Sequence, residues 1–167
     1  FIILGGMKVA AVQLTSTGNI TENQELALAK IREAAGNGAR LIVLPEATAQ
    51  NFRSGRLDEQ AQTLEGPFAT AIQALAEEPE VTVVVGMFCP ADTVERDGKT
   101  INRVTNTALI AGPGVLGGYD KIHTYDAFDY CESDTVLAGE SLVAFDVDDL
   151  IVGVATCYDI RFPEQFK

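Results

Sequence analysis

The sequence predicts an α/β protein built as a layered sandwich, and three observations carry that expectation. Short apolar or β-branched runs recur along the chain, at residues 8–14, 41–44, 81–87, 103–110, 142–147 and 150–156. Two amphipathic helical stretches stand among the first of them, at residues 21–35 and from Pro67 onward. Helices come early and strands follow, an order that fits layers better than a uniform doubly wound sheet.

Each element has its own signal. In the first helix Leu28, Ile31 and Ala35 share one face, and Gly36 and Gly38 supply the stop. Residues 41–44 form a short, continuously apolar run, as a buried strand does. Pro67 suits the first turn of a second helix, continued by Phe68, Ile72 and Leu75. Residues 81–87 are nearly all β-branched. Residues 112–118 hold four glycines and a proline and read as a loop or hairpin turn. Two last strands flank an acidic turn at Asp148 and Asp149, and residues 161–167 read as the opening of another helix.

With 167 residues the chain is long enough for one domain with a real core. Apolar residues make up 47% and charged residues 22%, an ordinary globular balance. A net charge of −12, spread along the chain, argues against nucleic acid and anionic membrane as partners. Three cysteines, an odd number without a C-x-x-C pair, exclude a disulfide framework and a zinc finger and suit a reducing cytoplasm. Residues 1–6 lack the basic flank of a signal peptide; they read as a tag remnant or misplaced start, with the domain at 7–167. No run approaches the roughly 18 apolar residues of a membrane span.

Four residues offer chemistry. Cys157 ends an apolar strand and precedes a polar turn, where a nucleophile sits beside backbone N–H groups. Glu46 directly follows a buried strand, with Pro45 shaping the turn, a suitable place for a general base. Lys121 follows the glycine-rich segment in an alternating pattern, and its ammonium can acidify a thiol or hold an oxyanion. His123 is the single histidine, so a Cys–His enzyme has one dyad to offer, Cys157 with His123. On a regular strand His123 and Lys121 face the same side, so that dyad stays open. Each position also has an ordinary explanation: a buried structural cysteine, a helix first-turn acid, an edge-strand lysine, a structural histidine. The glycine-rich segment lacks the pattern of a phosphate loop.

Three segments together resemble one family. Leu44-Pro45-Glu46-Ala47, Tyr119-Asp120-Lys121-Ile122-His123 and Ala155-Thr156-Cys157-Tyr158-Asp159-Ile160-Arg161-Phe162-Pro163-Glu164 are similar to the Glu, Lys and Cys signatures of the nitrilase, or carbon–nitrogen hydrolase, superfamily. Their order and spacing are family-like, and residues 7–13 resemble its opening strand. The form around Cys157 resembles the Nit-type amidases, including omega-amidases and deaminated-glutathione amidases. The resemblance implies an α-β-β-α sandwich whose C-terminal part is missing from these 167 residues. It implies thiol-dependent hydrolysis of a small carboxylic acid amide through a thioester, releasing ammonia, with Cys157 as nucleophile, Glu46 as base and Lys121 as oxyanion stabiliser. Glu132 resembles the family's second glutamate, which positions substrate or lysine.

Tyr125 and Phe128 are then expected to line the acyl pocket and Tyr158 to offer its backbone N–H. Neither metal nor organic cofactor is called for, the partner is a small-molecule amide, and a homodimer or larger assembly is implied. Two other readings remain: a truncated, non-catalytic member serving as a binding or assembly module, and an unrelated Cys–His thiol enzyme. With apolar sheet surface left bare, the 167 residues alone are expected to associate and to be catalytically poor. The discriminating expectation is geometric: Glu46, Lys121 and Cys157 converge on one pocket, and a structure that put any of them on the opposite face would sink the assignment.

Overall fold

The computed structural model describes residues 2–4 and 6–167. Its main sheet runs in the order β1 (Ile2–Leu4), β2 (Met7–Ala11), β3 (Leu41–Val43), β4 (Thr82–Arg96), β5 (Lys99–Gly112) and β6 (Val115–Asp120). The β2–β3 and β3–β4 pairs are parallel, and the β1–β2, β4–β5 and β5–β6 pairs are antiparallel. Residues 2–4 form an edge strand on β2. Between β6 and the chain end come a small hairpin, β7 (Asp126–Ala127) with β8 (Tyr130–Cys131), then β9 (Val136–Leu137) parallel to β5, and a second hairpin, β10 (Ala144–Val147) with β11 (Leu150–Gly153).

Two helices cover one face. In α1 (Ile20–Gly36) the Asn19 side chain accepts from the backbone N–H groups of Thr21 and Glu22, satisfying two donors that a helix start leaves orphaned. Gly38, at φ 82°, turns the chain out. In α2 (Pro67–Glu77) Pro67 starts the helix, and Phe68, Ile72 and Ala76 line the buried stripe. These residues pack with Ile31, Val83, Val85, Met87 and Leu109 in the main core.

The opposite face explains why the strands are apolar on successive residues. Val84, Ala108 and Ile110 point away from the helices and pack with Tyr119, Phe145 and Val147, so β10–β11 is the start of a second layer. Arg40, before β3, pairs with Asp148 in the hairpin turn and ties the layers together. Ile151 and Leu142 stay exposed. Helix, sheet and partial second sheet match the layered sandwich expected.

The differences have local causes. β2 and β3 end earlier than the apolar pattern suggests, whereas β4 and β5 run far beyond theirs. Their distal halves form an exposed hairpin of polar residues, closed at Asp97–Gly98, both at positive φ. That Asp-Gly pair is a hairpin signal the hydrophobic pattern overlooks. Most of the glycine-rich segment is strand: the turn is confined to Pro113 and Gly114, Gly112 ends β5, and β6 carries Gly117 and Gly118. Residues 163–166 form a short 3-10 turn. Among the described residues no helix is long and apolar enough to cross a membrane.

One glycine positions the site. A Cβ on Gly86 would lie 2.5 Å from the Ala47 nitrogen and 2.7 Å from the Glu46 Cα. The bare backbone of β4 lets the loop after β3 lie against the sheet, with the Gly86 N–H donating to the Pro45 carbonyl. Gly86→Ala is therefore expected to destabilise the fold by about 1–3 kcal/mol through overpacking. Urea unfolding of the variant beside the parent checks it, and equal midpoints would show that the loop is free to move.

Candidate active site

Glu46, Lys121, Glu132 and Cys157 line one open cavity of about 440 Å³. Each arrives on a different segment. Glu46 leaves the end of β3, where the Leu44 N–H donates to the Val84 carbonyl, and Ala47 at φ 56° turns the chain away. Lys121 directly follows β6; its N–H donates to the Asn106 carbonyl, and its own carbonyl accepts from the Gly139 N–H. A Cβ on Gly139 would collide with the Asp120 carbonyl oxygen, so that approach also needs glycine. Glu132 opens a 3-10 turn after β8.

The polar core of the site is compact. Lys121 Nζ donates to Glu132 Oε2 at 2.8 Å, to Glu132 Oε1 at 3.1 Å and to Glu46 Oε1 at 3.2 Å. Lys121 and Glu132 are each only 2% exposed. Glu132 is therefore no loose surface acid; it also accepts from the Tyr125 N–H at 2.7 Å. Burial opposes the charge on Lys121, but the hydrogen bond it donates to Glu132 and the charges of both glutamates prevail, and its pKa is raised. The lysine is a fixed cation.

Cys157 sits beyond β11 at φ 51°, in the left-handed region that non-glycine residues rarely occupy. A 3-10 turn, Cys157–Arg161, begins there and is closed by a capping box between Thr156 and Asp159. Burial pushes the thiol pKa up, the Glu46 carboxylate pushes it further by charge and by hydrogen bonding, and Lys121 works against both. The two charged neighbours thus act on the Cys157 thiol in opposite senses.

His123 is committed elsewhere. Its Nδ1 lies 2.8 Å from Asp159 Oδ1, its N–H donates to the same oxygen at 2.9 Å, and its ring stacks on Phe162 at a centroid distance of 3.5 Å. The strand-alternation expectation fails because β6 ends at Asp120, one residue before Lys121. Asp159 is fully buried and also accepts from Tyr119 Oη at 2.5 Å and the Thr156 N–H at 2.9 Å. Burial alone would raise its pKa, but these donors hold the carboxyl below its usual range.

Of the residues expected to meet substrate, Tyr125 and Phe128 line the cavity with Phe52, Arg53, Ala127 and Tyr130. Phe128 is 93% exposed and stands at the mouth, on a two-residue hairpin turn where it and Asp129 both have positive φ. The Tyr158 ring is not on the wall: it meets Tyr125 edge-on, 5.2 Å away, and turns toward Phe162. For Tyr158 it is the backbone N–H, not the ring, that the sequence placed at the site. Sequence reading missed Asn106, which reaches both glutamates; its signal was an amide inside an otherwise buried strand.

The charges give a signed expectation for the thiol. Glu46→Gln removes a negative neighbour and should lower the Cys157 pKa, whereas Lys121→Met removes a positive one and should raise it. Iodoacetamide alkylation of Cys157 against pH reads both. Midpoints moving in the same direction in the two variants would contradict the arrangement.

Residues 8–167 match the carbon–nitrogen hydrolase family. Among curated relatives, Hydrolase Rv0480c of Mycobacterium tuberculosis is 42% identical over 165 residues, covering 96% of this chain and 55% of the relative. The deaminated glutathione amidase of Synechocystis is 35% identical over 166 residues, covering 95% of this chain and 60% of the relative. Saccharomyces cerevisiae Nit3, a solved member of branch 10 of the nitrilase superfamily, superposes with a TM-score of 0.74 at 26% identity, covering 95% of this chain and 58% of that one. The chain belongs to the carbon–nitrogen hydrolase family, in the Nit-type branch of the nitrilase superfamily. It spans little more than half the length of these relatives.

Proposed function

We propose that these residues carry the chemistry of a thiol-dependent amidase that hydrolyses a small carboxylic acid amide and releases ammonia. One observation carries the reading: the Cys157 thiol, the Glu46 carboxylate and the buried Lys121 ammonium line one cavity, and the carboxylate and ammonium act on the thiol in opposite senses.

Glu46 takes the thiol proton as sulfur attacks the amide carbon, because the thiolate is the competent nucleophile. The developing oxyanion is held by Lys121 and the backbone N–H of Tyr158; a donor of this kind is worth about 3 kcal/mol. Glu46 then protonates the leaving nitrogen, and ammonia departs from a Cys157 thioester. Glu46 next takes a proton from water, whose oxygen attacks the thioester carbon; collapse releases the acid and returns the proton to sulfur. Glu132 holds Lys121 at its post throughout.

The cavity also suggests the acyl group. Phe52, Tyr125, Phe128 and Tyr130 offer apolar walls, and Arg53 is a cation with no side-chain partner among the described residues. That suits an acyl chain ending in a carboxylate. The three cysteines are unpaired, which suits a reducing compartment such as the cytoplasm. The Cys–His alternative is disfavoured by the engagement of His123 with Asp159 and Phe162.

Ammonia release by the full-length protein across monoamides of dicarboxylic acids, with neutral amides beside them, tests the proposal. Cys157→Ala should abolish hydrolysis, while His123→Asn should keep a substantial part of it. Equal damage from the two substitutions would favour the Cys–His chemistry and overturn the assignment of Glu46.

A further inference from the structure

Asn106 lies in the middle of β5, opposite Phe88, and is only 1% exposed. Its Nδ2 donates to Glu46 Oε1 at 2.7 Å and to Glu132 Oε1 at 3.1 Å, and its backbone carbonyl accepts from the Lys121 N–H at 2.9 Å. One residue therefore touches all three ionised members of the site. The amide cannot be turned over, since Oδ1 would then face two carboxylates. Its Oδ1 is buried and has no hydrogen-bond partner among the described residues. An amide held this way carries an unsatisfied acceptor, a cost that a purely structural position would shed by becoming apolar.

The contact is selective between the oxygens of Glu46. Asn106 and Lys121 both donate to Oε1, and neither donates to Oε2. One oxygen is anchored from two sides while the other is left to exchange a proton. An ionised carboxylate on a loop end would otherwise rotate toward whichever cation was nearer, and Lys121 alone offers one point of attachment.

We propose, building on the amidase reading above, that Asn106 is a positioning residue: its amide fixes Glu46 on Oε1, aims Oε2 at the thiol and bridges Glu46 to Glu132. A neutral donor is required. The titratable groups that touch Asn106 or line a cavity with it are Glu46, Glu132, Lys121 and Cys157, and Tyr130 feels the charges of Glu132, Lys121 and Glu46. On the neighbouring strands, Asp120 accepts from Thr107, and Cys89 interacts with Thr105 and Thr107. An aspartate here would thus put a third carboxylate against two others with one lysine among them. Its protonated form, however, would present an O–H donor where the amide N–H stands.

The test compares Asn106→Asp, Asn106→Leu and Asn106→Ser in the full-length protein, using the best amide found in the ammonia-release screen. Asn106→Leu and Asn106→Ser should lower kcat on the order of 100-fold, the usual effect of a misplaced catalytic group, with KM changed by less than about threefold. Asn106→Asp should be equally poor at neutral pH but regain roughly tenfold on acidification, as the introduced carboxyl protonates and becomes a donor; its optimum moves to lower pH, and that of the leucine variant does not. Leucine and serine variants that keep kcat within about threefold of the parent, or an aspartate variant with the parent's pH profile, would overturn the proposal. If the aspartate variant does not fold, as judged by circular dichroism, the serine variant decides.

Alkylation of Cys157 by iodoacetamide separates this proposal from the amidase reading, because it needs no substrate. The added charge of Asn106→Asp should raise the pH midpoint of alkylation. An unmoved midpoint in a folded variant overturns the placement of Asn106 whatever the protein hydrolyses. A raised midpoint in a protein inactive on every amide keeps the placement and overturns the amidase reading instead.

Discussion

A single buried ammonium governs this structure. Lys121 has been withdrawn from water, and a charge so placed is tolerable only with close counter-charges and hydrogen-bond acceptors. Glu132 supplies both oxygens and Glu46 supplies one. Their segments are distant in sequence, so satisfying the lysine obliges the loop after β3, the end of β6 and the turn after β8 to meet. One buried charge thus dictates how three segments must pack.

The surrounding fold makes that meeting sterically feasible. Gly86 lets the Glu46 loop lie against β4, and Gly139 lets the chain pass the Asp120 carbonyl beneath Lys121. Strain collects at the same place. Ala47, Cys157, Phe128 and Asp129 all hold positive φ, a conformation that non-glycine residues keep only where neighbours impose it. For Cys157 the imposing group is Asp159. Fixed by Tyr119, His123 and Thr156, it braces the Cys157 turn against the segment that carries Lys121. The histidine that invited a catalytic reading acts here as part of that brace.

The site also rests on the layering. Tyr119, at the end of β6, is fully buried between the main sheet and the β10–β11 hairpin, while its hydroxyl reaches Asp159. One side chain thus joins the apolar contact between layers to the polar support of the Cys157 turn. The hairpin that delivers Cys157 is held at its far end by Arg40 and Asp148. Its inner residues Phe145 and Val147 are buried, whereas Ile151 on its outer face is not.

By itself the sequence determined the features that periodicity and local chemistry control. Both helices were legible from their apolar spacing, Pro67 and the glycines after residue 35. The central parts of β3, β4 and β5 were legible from continuous apolar runs, and Glu46, Lys121 and Cys157 from their places at strand ends and from family-like motifs. Tertiary structure alone decided the rest. The distal halves of β4 and β5 are solvated, so no apolar pattern marks them. β7, β8 and β9 are two residues long, too short for any period to register. Glu132 was legible from its family-like place between the Lys121 and Cys157 motifs, but its burial against Lys121 came from the fold, and Asn106 carried no motif at all. The fates of His123 and Tyr158 were equally hidden, because they depend on where Asp159, Phe162 and Tyr125 lie in space. A polar side chain's role is set by which partners reach it once water is excluded, and those partners come from segments that local sequence does not relate.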